Sequence, residues 1–273
     1  MAPNQSWTNH AYLILAHDNL PTLNALIDAL SETGTIYIHL DKKSRINPQH
    51  ITHAPHIHIY QKYRVYWGGW SIIQATQFLA DEALKNHAYR LTLLSGVSYP
   101  LVSRVQLLKL GNSENDIFHA EEFNENIHPQ QFKFRFTHRH LPVPISNNLK
   151  GRVIRRLARE TSRILPKLKY RKYLLATPLM VGPQWWSVTS TTYLRCKKIY
   201  FLDQNYVSYF KMIECPDESF FVTGFIKVTT NHLNQSTTYI EWLDRGIPRK
   251  FNLIELKKIS TTEQNLFIRK VIF

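Results

Sequence analysis

Cysteine is scarce: Cys196 and Cys215 are the only two in 273 residues. No disulfide framework can rest on them, and the usage suits a reducing compartment. Long apolar runs are missing as well. Ala11–Ala16 is strand-sized, far short of the roughly 20 residues of a membrane helix. Met1–His10 is polar and has no basic stretch leading into an apolar one, so neither a signal peptide nor an anchor is expected. Acids are outnumbered: 20 Asp and Glu face 34 Lys and Arg, a formal charge of +14, which calls for an anionic partner such as phosphate, nucleic acid or a membrane surface. Several signatures are absent altogether. Without Gly-x-Gly-x-x-Gly or a P-loop, dinucleotide and ATP folds lose their usual support. Without Gly-x-Ser-x-Gly, a serine hydrolase elbow does too. No Asp-x-Asp occurs to hold a divalent cation, and the histidines show no metal-ligand spacing.

What is present is material for one large core, with 44% hydrophobic and 12% aromatic residues. The first half alternates strands and helices. Ala11–Ala16 reads as a strand buried on both faces. A turn at His17-Asp18-Asn19 leads into a helix opened by Pro21, carrying Leu23, Leu26, Ile27 and Leu30, and stopped by Gly34. Thr35–Leu40, His56–Tyr60, Arg90–Leu94 and Asp116–Ala120 read as further strands, and Trp70–Leu84 as a helix. This repetition predicts an α/β fold with a mainly parallel sheet flanked by helices. Ligands of such sheets bind beyond the carboxyl ends of the strands, which points at His17, Asp41 and Ser95. Later, Val181–Ser190 reads as a strand containing Trp185 and Trp186, Pro216-Asp217-Glu218 as the start of a short helix, and Phe251–Ile259 as a helix.

Between Lys150 and Lys172 ten basic residues face one acid, Glu160. On a helix over Gly151–Leu165, ended by Pro166, the apolar residues share one broad face and the arginines the other. This is either a helix that docks on an anionic membrane or a packed helix with a solvated basic side.

Two acids carry competing readings. Asp217 and Glu218 can simply favour a helix N-terminus; alternatively Glu218, among Phe220, Phe221 and Phe225, is a partly desolvated general base. Asp41 is either a turn residue or a nucleoside ligand at a strand end, and its position favours the second. Arg249 and Lys270 belong to a late basic set that is a solvated face or, for a nucleotide-sugar enzyme without a metal motif, the charge compensation for a leaving diphosphate.

Six segments occur in one order: Ala11-Tyr-Leu-Ile-Leu-Ala-His17 and Ile38-His-Leu-Asp-Lys-Lys-Ser44, then Tyr66-Trp-Gly-Gly-Trp-Ser71 and Leu93-Leu-Ser-Gly-Val-Ser-Tyr-Pro-Leu101, then Gly182-Pro-Gln-Trp-Trp-Ser187 and Pro216-Asp-Glu218. Together with Tyr239-Ile-Glu-Trp242 they resemble the core-2/I-branching β-1,6-N-acetylglucosaminyltransferases, a family that includes peptide O-xylosyltransferases. The match runs from about residue 11 to 270 and is thin over 123–180. The resemblance implies a GT-A-like, Rossmann-type single domain over 1–273, with a nucleotide-binding half over 1–120 and an acceptor-binding and catalytic half over 121–273. It implies an inverting, metal-independent transfer of a sugar, N-acetylglucosamine for choice, from a UDP-sugar to a glycan or glycolipid hydroxyl. It implies no cofactor, with Glu218 as base. Asp41, His17, Tyr66 and Trp67 then serve the nucleoside, and Arg249 and Lys270 the diphosphate. Glu121 or Glu122, with Trp185 and Trp242, would meet the acceptor. Two departures stand out: Ser98 replaces an aspartate common in the family, and the cysteine framework and anchor of secreted relatives are missing. This suggests a bacterial-type cytoplasmic member, peripheral on the inner membrane face, working in surface polysaccharide or lipooligosaccharide synthesis. A nucleic-acid-binding protein that uses the basic patch and its aromatics is a competing class, although no RNA-binding motif occurs and the expectation is no nucleic-acid partner. A metal-dependent glycosyltransferase of another family is a third.

Overall fold

The computed structural model describes residues 9–140, 149–174, 177–244, 247–256, 259 and 265–273. The first half runs β1 (His10–Ala16), α1 (Leu20–Leu30), β2 (Thr35–Leu40), β3 (Ile57–Tyr60), α2 (Ser71–Lys85), β4 (Arg90–Ser95), β5 (Ser98–Pro100), α3 (Arg104–Gly111), β6 (Asp116–Phe118) and β7 (Glu121–Glu122). It continues with α4 (Gln130–Thr137), α5 (Leu149–Ile164), β8 (Met180–Val181), β9 (Ser187–Thr189), α6 (Ser190–Cys196), α7 (Gln204–Lys211) and α8 (Phe220–Val228). The last elements are β10 (His232–Asn234), β11 (Thr238–Ile240), β12 (Trp242–Leu243), β13 (Ile247–Pro248), α9 (Leu253–Leu256) and β14 (Phe267–Arg269).

The main sheet has seven strands in the order β10-β6-β9-β4-β1-β2-β3. β9 runs antiparallel to both neighbours and every other pairing is parallel. The expected mainly parallel α/β architecture is therefore present. β1 lies inside the sheet, between β4 and β2, and its apolar run is explained by the two faces it serves. Ala11 and Leu13 enter one hydrophobic cluster, with Ile73, Leu79, Ala80 and Ala83 of α2. Tyr12, Ile14 and Ala16 enter the other, with Leu23, Leu26, Ile27 and Leu30 of α1. Period-two alternation sends successive side chains to opposite faces, and each buried Leu or Ile is worth roughly 1.5–3 kcal/mol. α1 starts as its sequence suggests: Asn19, in the left-handed conformation, accepts a hydrogen bond from the Thr22 amide and Pro21 sits in the first turn. Gly34 has another role than the expected helix stop. α1 ends at Leu30, and a Cβ on Gly34 would collide with the His10 carbonyl oxygen in β1.

Three expectations change. The strand over Val181–Ser190 is broken, because β8 ends at Val181 and β9 starts at Ser187. Gly182 lies against the His119 carbonyl oxygen, leaving no room for a side chain, and Pro183 has no N–H for a ladder. The helix over Phe251–Ile259 shrinks to Leu253–Leu256, with 257–258 outside the described residues. Phe251 instead bridges to Val271 and packs with Ile268. The helix over Gly151–Leu165 forms as Leu149–Ile164, but Val153, Ile154, Leu157 and Ile164 are exposed. The packed reading of that face does not hold.

A second sheet, β11-β14-β5, places the C-terminal strand between Thr238–Ile240 and Ser98–Pro100. Arg269 is thereby paired with Ser98, close to the end of β4. Ser98 is buried, and its hydroxyl accepts from the Ser95 amide. It holds the turn that brings β5 back.

Candidate functional site

The carboxyl edge of the sheet gathers the expected residues around the end of β1. The amide of Asp41, the first residue after β2, donates to the Ala16 carbonyl at 2.8 Å, and the Gly96 amide after β4 donates to Leu15 at 2.9 Å. His17 follows directly; it is exposed and lies 3.4 Å from Asp18. Asp41 is buried. Its Oδ1 accepts from the amides of Lys43 (2.8 Å) and Val65 (3.3 Å), while Oδ2 faces Lys43 Nζ at 3.6 Å. Both readings of Asp41 are therefore compatible with its place: it organises the turn with one oxygen and sits at the strand end with the other. Lys43 Nζ also lies 4.4 Å from the centre of the exposed Tyr66 ring. A cleft of about 530 Å³ lies beside these groups, lined by His17, Asp18, Lys43, Arg45, Asn47 and His50 among others.

Tyr66 and Trp67 enter a turn completed by Gly68, whose positive φ of 68° suits glycine. The Gly68 carbonyl accepts from the Cys215 amide at 2.9 Å, so this turn seats the segment that carries Glu218. Trp70 meets Phe220 edge-on at 5.2 Å. Two motifs far apart in sequence thus become one structural unit.

Glu218 closes a 3₁₀ turn over Pro216–Glu218, and α8 starts only at Phe220. Arg135 of α4 donates from Nη1 to Glu218 Oε2 at 2.8 Å. Burial pushes the Glu218 carboxyl above its ordinary range; Arg135 opposes that and Glu214 adds to it. Asp217 beside it is pushed up to about 7, first by burial and then by repulsion from Glu218, with Arg135 and Arg269 opposing. Asp217 Oδ1 is buried without a hydrogen-bond partner among the described residues, and so is Arg269 Nε.

Arg269 is held over the face of Trp185, 5.1 Å from its centre. Burial lowers the Arg269 pKa, while Asp217 and Asp18 support its charge. Lys270 is lowered first by burial and then by Arg269, and Asp18 supports it. A line of charges therefore runs from Asp18 through Lys270 and Arg269 to Asp217, Glu218 and Arg135. It joins the turn after β1 to the acid at the Pro216 turn.

Other expected residues fall differently. Arg249 is half-buried, and its guanidinium grips Glu241 (2.9 and 3.2 Å) and Glu255 (2.9 Å). Only its backbone adjoins Lys270: the Phe251 amide donates to the Lys270 carbonyl and the Lys270 amide to the Arg249 carbonyl. Trp185, expected at the acceptor, is only 4% exposed and forms a floor for Arg269 rather than an open stacking surface. Trp242 is exposed on the β12-β13 ribbon. Glu121 and Glu122 pair with Val181 and Met180, and the next residue, Gly182, donates its amide to the Glu218 carbonyl at 2.9 Å. The two acids point to opposite sides of the strand, so one of them at most faces Glu218; Glu121 lies 3.3 Å from His128 Nε2. Arg135, Asp217, Arg269 and Asp18 escaped the reading of the sequence as site residues. Arg269 was signalled only by its place beside Lys270. Arg135 lies where family likeness is thin. Among the described residues no three His, Cys, Asp or Glu side chains converge in a way that could hold a metal ion.

Acids and cations are thus collected at the carboxyl edge of the α/β sheet, by the switch point between β1 and β4, the place where ligands of such sheets bind. The sequence model of the Core-2/I-Branching enzyme family matches residues 10–265. The chain belongs to that family, and it is a glycosyltransferase. No curated protein matches it significantly. Among solved structures, mannose-1-phosphate geranyltransferase from Thermus thermophilus is similar at 8% identity, over 81% of this chain and 69% of that one, with a TM-score of 0.34. That likeness is too remote to bear on activity.

Proposed function

We propose that this glycosyltransferase transfers a sugar, N-acetylglucosamine for choice, from a UDP-sugar to a glycan or glycolipid hydroxyl with inversion and without a metal ion. The observation that carries this reading is Glu218: a half-buried carboxylate with a raised pKa, joined by a line of charges to the carboxyl edge of the sheet. In this reading Glu218 takes the proton of the acceptor hydroxyl. The acceptor oxygen then bonds to the anomeric carbon while the bond to UDP breaks on the opposite face. Such a base contributes roughly 10²–10⁴-fold. The leaving diphosphate meets Lys270 and Arg269, which share one locality with Asp18 and supply the charge a metal would otherwise bring. Arg249 reaches it only by releasing Glu241 and Glu255. Asp41, His17, Tyr66 and Trp67 hold the nucleoside side, and Glu121 or Glu122 the acceptor.

Glu218→Gln tests the assignment. UDP should stabilise the variant as it does the parent, with EDTA present, while transfer falls by two or more orders of magnitude. A variant that transfers at the parent rate removes Glu218 as the base. Stabilisation by UDP only with manganese removes the metal-free donor site.

A further inference from the structure

We infer that α5 docks on an anionic lipid surface through its exposed aliphatic arc. Val153, Ile154, Leu157 and Ile164 are 50%, 47%, 61% and 84% exposed. At 3.6 residues per turn, Val153, Leu157 and Ile164 fall within about 40° of one another, with Ile154 about 60° further round. Among the helix residues whose burial is described, the covered ones are small: Ser162 is buried and Ala158 half-buried. Four large aliphatic side chains on one side of a helix, turned to water, are a coherent patch rather than scattered surface residues.

The charges around the patch identify its occupant. Arg156, Lys167, Lys169, Arg171 and Lys172 are exposed on or just beyond α5. Glu160, the single acid between Lys150 and Lys172, is already paired with Arg163 at 2.7 and 2.9 Å. An aliphatic arc flanked by cations matches the boundary between lipid headgroups and acyl chains. RNA would reward the cations but gains nothing from Val, Ile and Leu, because single strands stack on aromatic rings. A second copy of the chain would bring two strongly basic faces together, which like-charge repulsion opposes.

The C-terminal end of α5 is tied to the helix that carries Arg135. The Leu168 amide, just after α5, donates to the Thr137 carbonyl at 2.7 Å, and Thr137 ends α4, the helix that presents Arg135 to Glu218. Docking through α5 therefore sets the acceptor side of the protein close to the lipid surface. The inference concerns binding and does not depend on the transfer reaction proposed above.

The full chain is tested by co-sedimentation with phosphatidylcholine vesicles and with mixed phosphatidylglycerol–phosphatidylcholine vesicles. Binding to the anionic vesicles alone, weakened by salt, is expected. Each exposed cation removed should lower partitioning about fivefold, so Lys167→Gln, Lys169→Gln, Arg171→Gln and Lys172→Gln together should cost at least about a hundredfold. A second variant, Val153→Ser, Ile154→Ser, Leu157→Gln and Ile164→Gln, should unfold at the parent temperature and lose vesicle binding. Failure of the parent chain to bind anionic vesicles overturns the inference. So does equal binding by the second variant, or its conversion of a parent dimer to a monomer in sedimentation.

Discussion

Replacing Asp217 by asparagine keeps the shape of the side chain and removes its charge, and the structure sets what that is worth. The Asp217 carboxyl is held at about 7 in the folded protein, against about 3.9 in an unfolded chain. A carboxyl whose folded pKa lies above its unfolded one contributes most to stability below about pH 4 and loses that contribution as pH rises through 7. The gap of about three units is worth about 4 kcal/mol at pH 8 and about 1.5 kcal/mol at pH 5. Asp217 is partly rather than wholly buried, so solvent screening brings the pH 8 figure to about 2–4 kcal/mol. An asparagine side chain cannot ionise, so Asp217→Asn should raise stability by that amount at pH 8 and by much less at pH 5. For a chain of this size the pH 8 gain is a rise in Tm of about 4–10 °C. Urea or thermal unfolding of both proteins at pH 5, 6.5 and 8 reads the effect. A gap that stays constant across this range, or widens toward acid, would refute the argument that Asp217 is charged against its surroundings.

Arg135 opposes the rise in the Glu218 pKa. Arg135→Met should therefore push Glu218 further up and move the acid limb of kcat/KM toward higher pH. Arg135→Lys should recover part of the shift, and an acid limb common to all three proteins would show that the 2.8 Å contact does not tune the base. Lys270→Ala and Arg269→Met should each narrow the preference for UDP over uridine by about 10–100-fold, since a hydrogen bond to a charged group is worth roughly 1.5–3 kcal/mol. Arg249→Ala should cost clearly less, because Glu241 and Glu255 already hold that guanidinium. If titrations of UDP and uridine show Arg249→Ala narrowing the preference as much as Lys270→Ala does, Arg249 leaves those carboxylates when the ligand arrives.

Local patterns settled much of the architecture. The apolar run at Ala11–Ala16 could only be a strand covered on both sides, and it is an inner strand of the sheet. Pro21 and the spacing of Leu23, Leu26, Ile27 and Leu30 required a helix with one buried face. The places of His17 and Asp41 just beyond strands put them at the carboxyl edge, because parallel strands end together. These inferences succeed because they depend on periodicity and on residues adjacent in the chain. Tertiary structure decided what depends on distant partners. Arg135 reaches Glu218 across 83 positions, and no local signal sets such a meeting. Gly182 and Gly34 have no room for a side chain because of carbonyl oxygens of residues distant in sequence, His119 and His10, which no turn pattern reveals. Arg249 and Arg269 look alike as letters in a basic segment, yet one is neutralised by carboxylates and the other is half-buried over Trp185. The apolar positions of α5 showed that the helix has an aliphatic side. Only the tertiary structure shows which way that side faces: Ala158 and Ser162 are covered, while Val153, Ile154, Leu157 and Ile164 are turned outward.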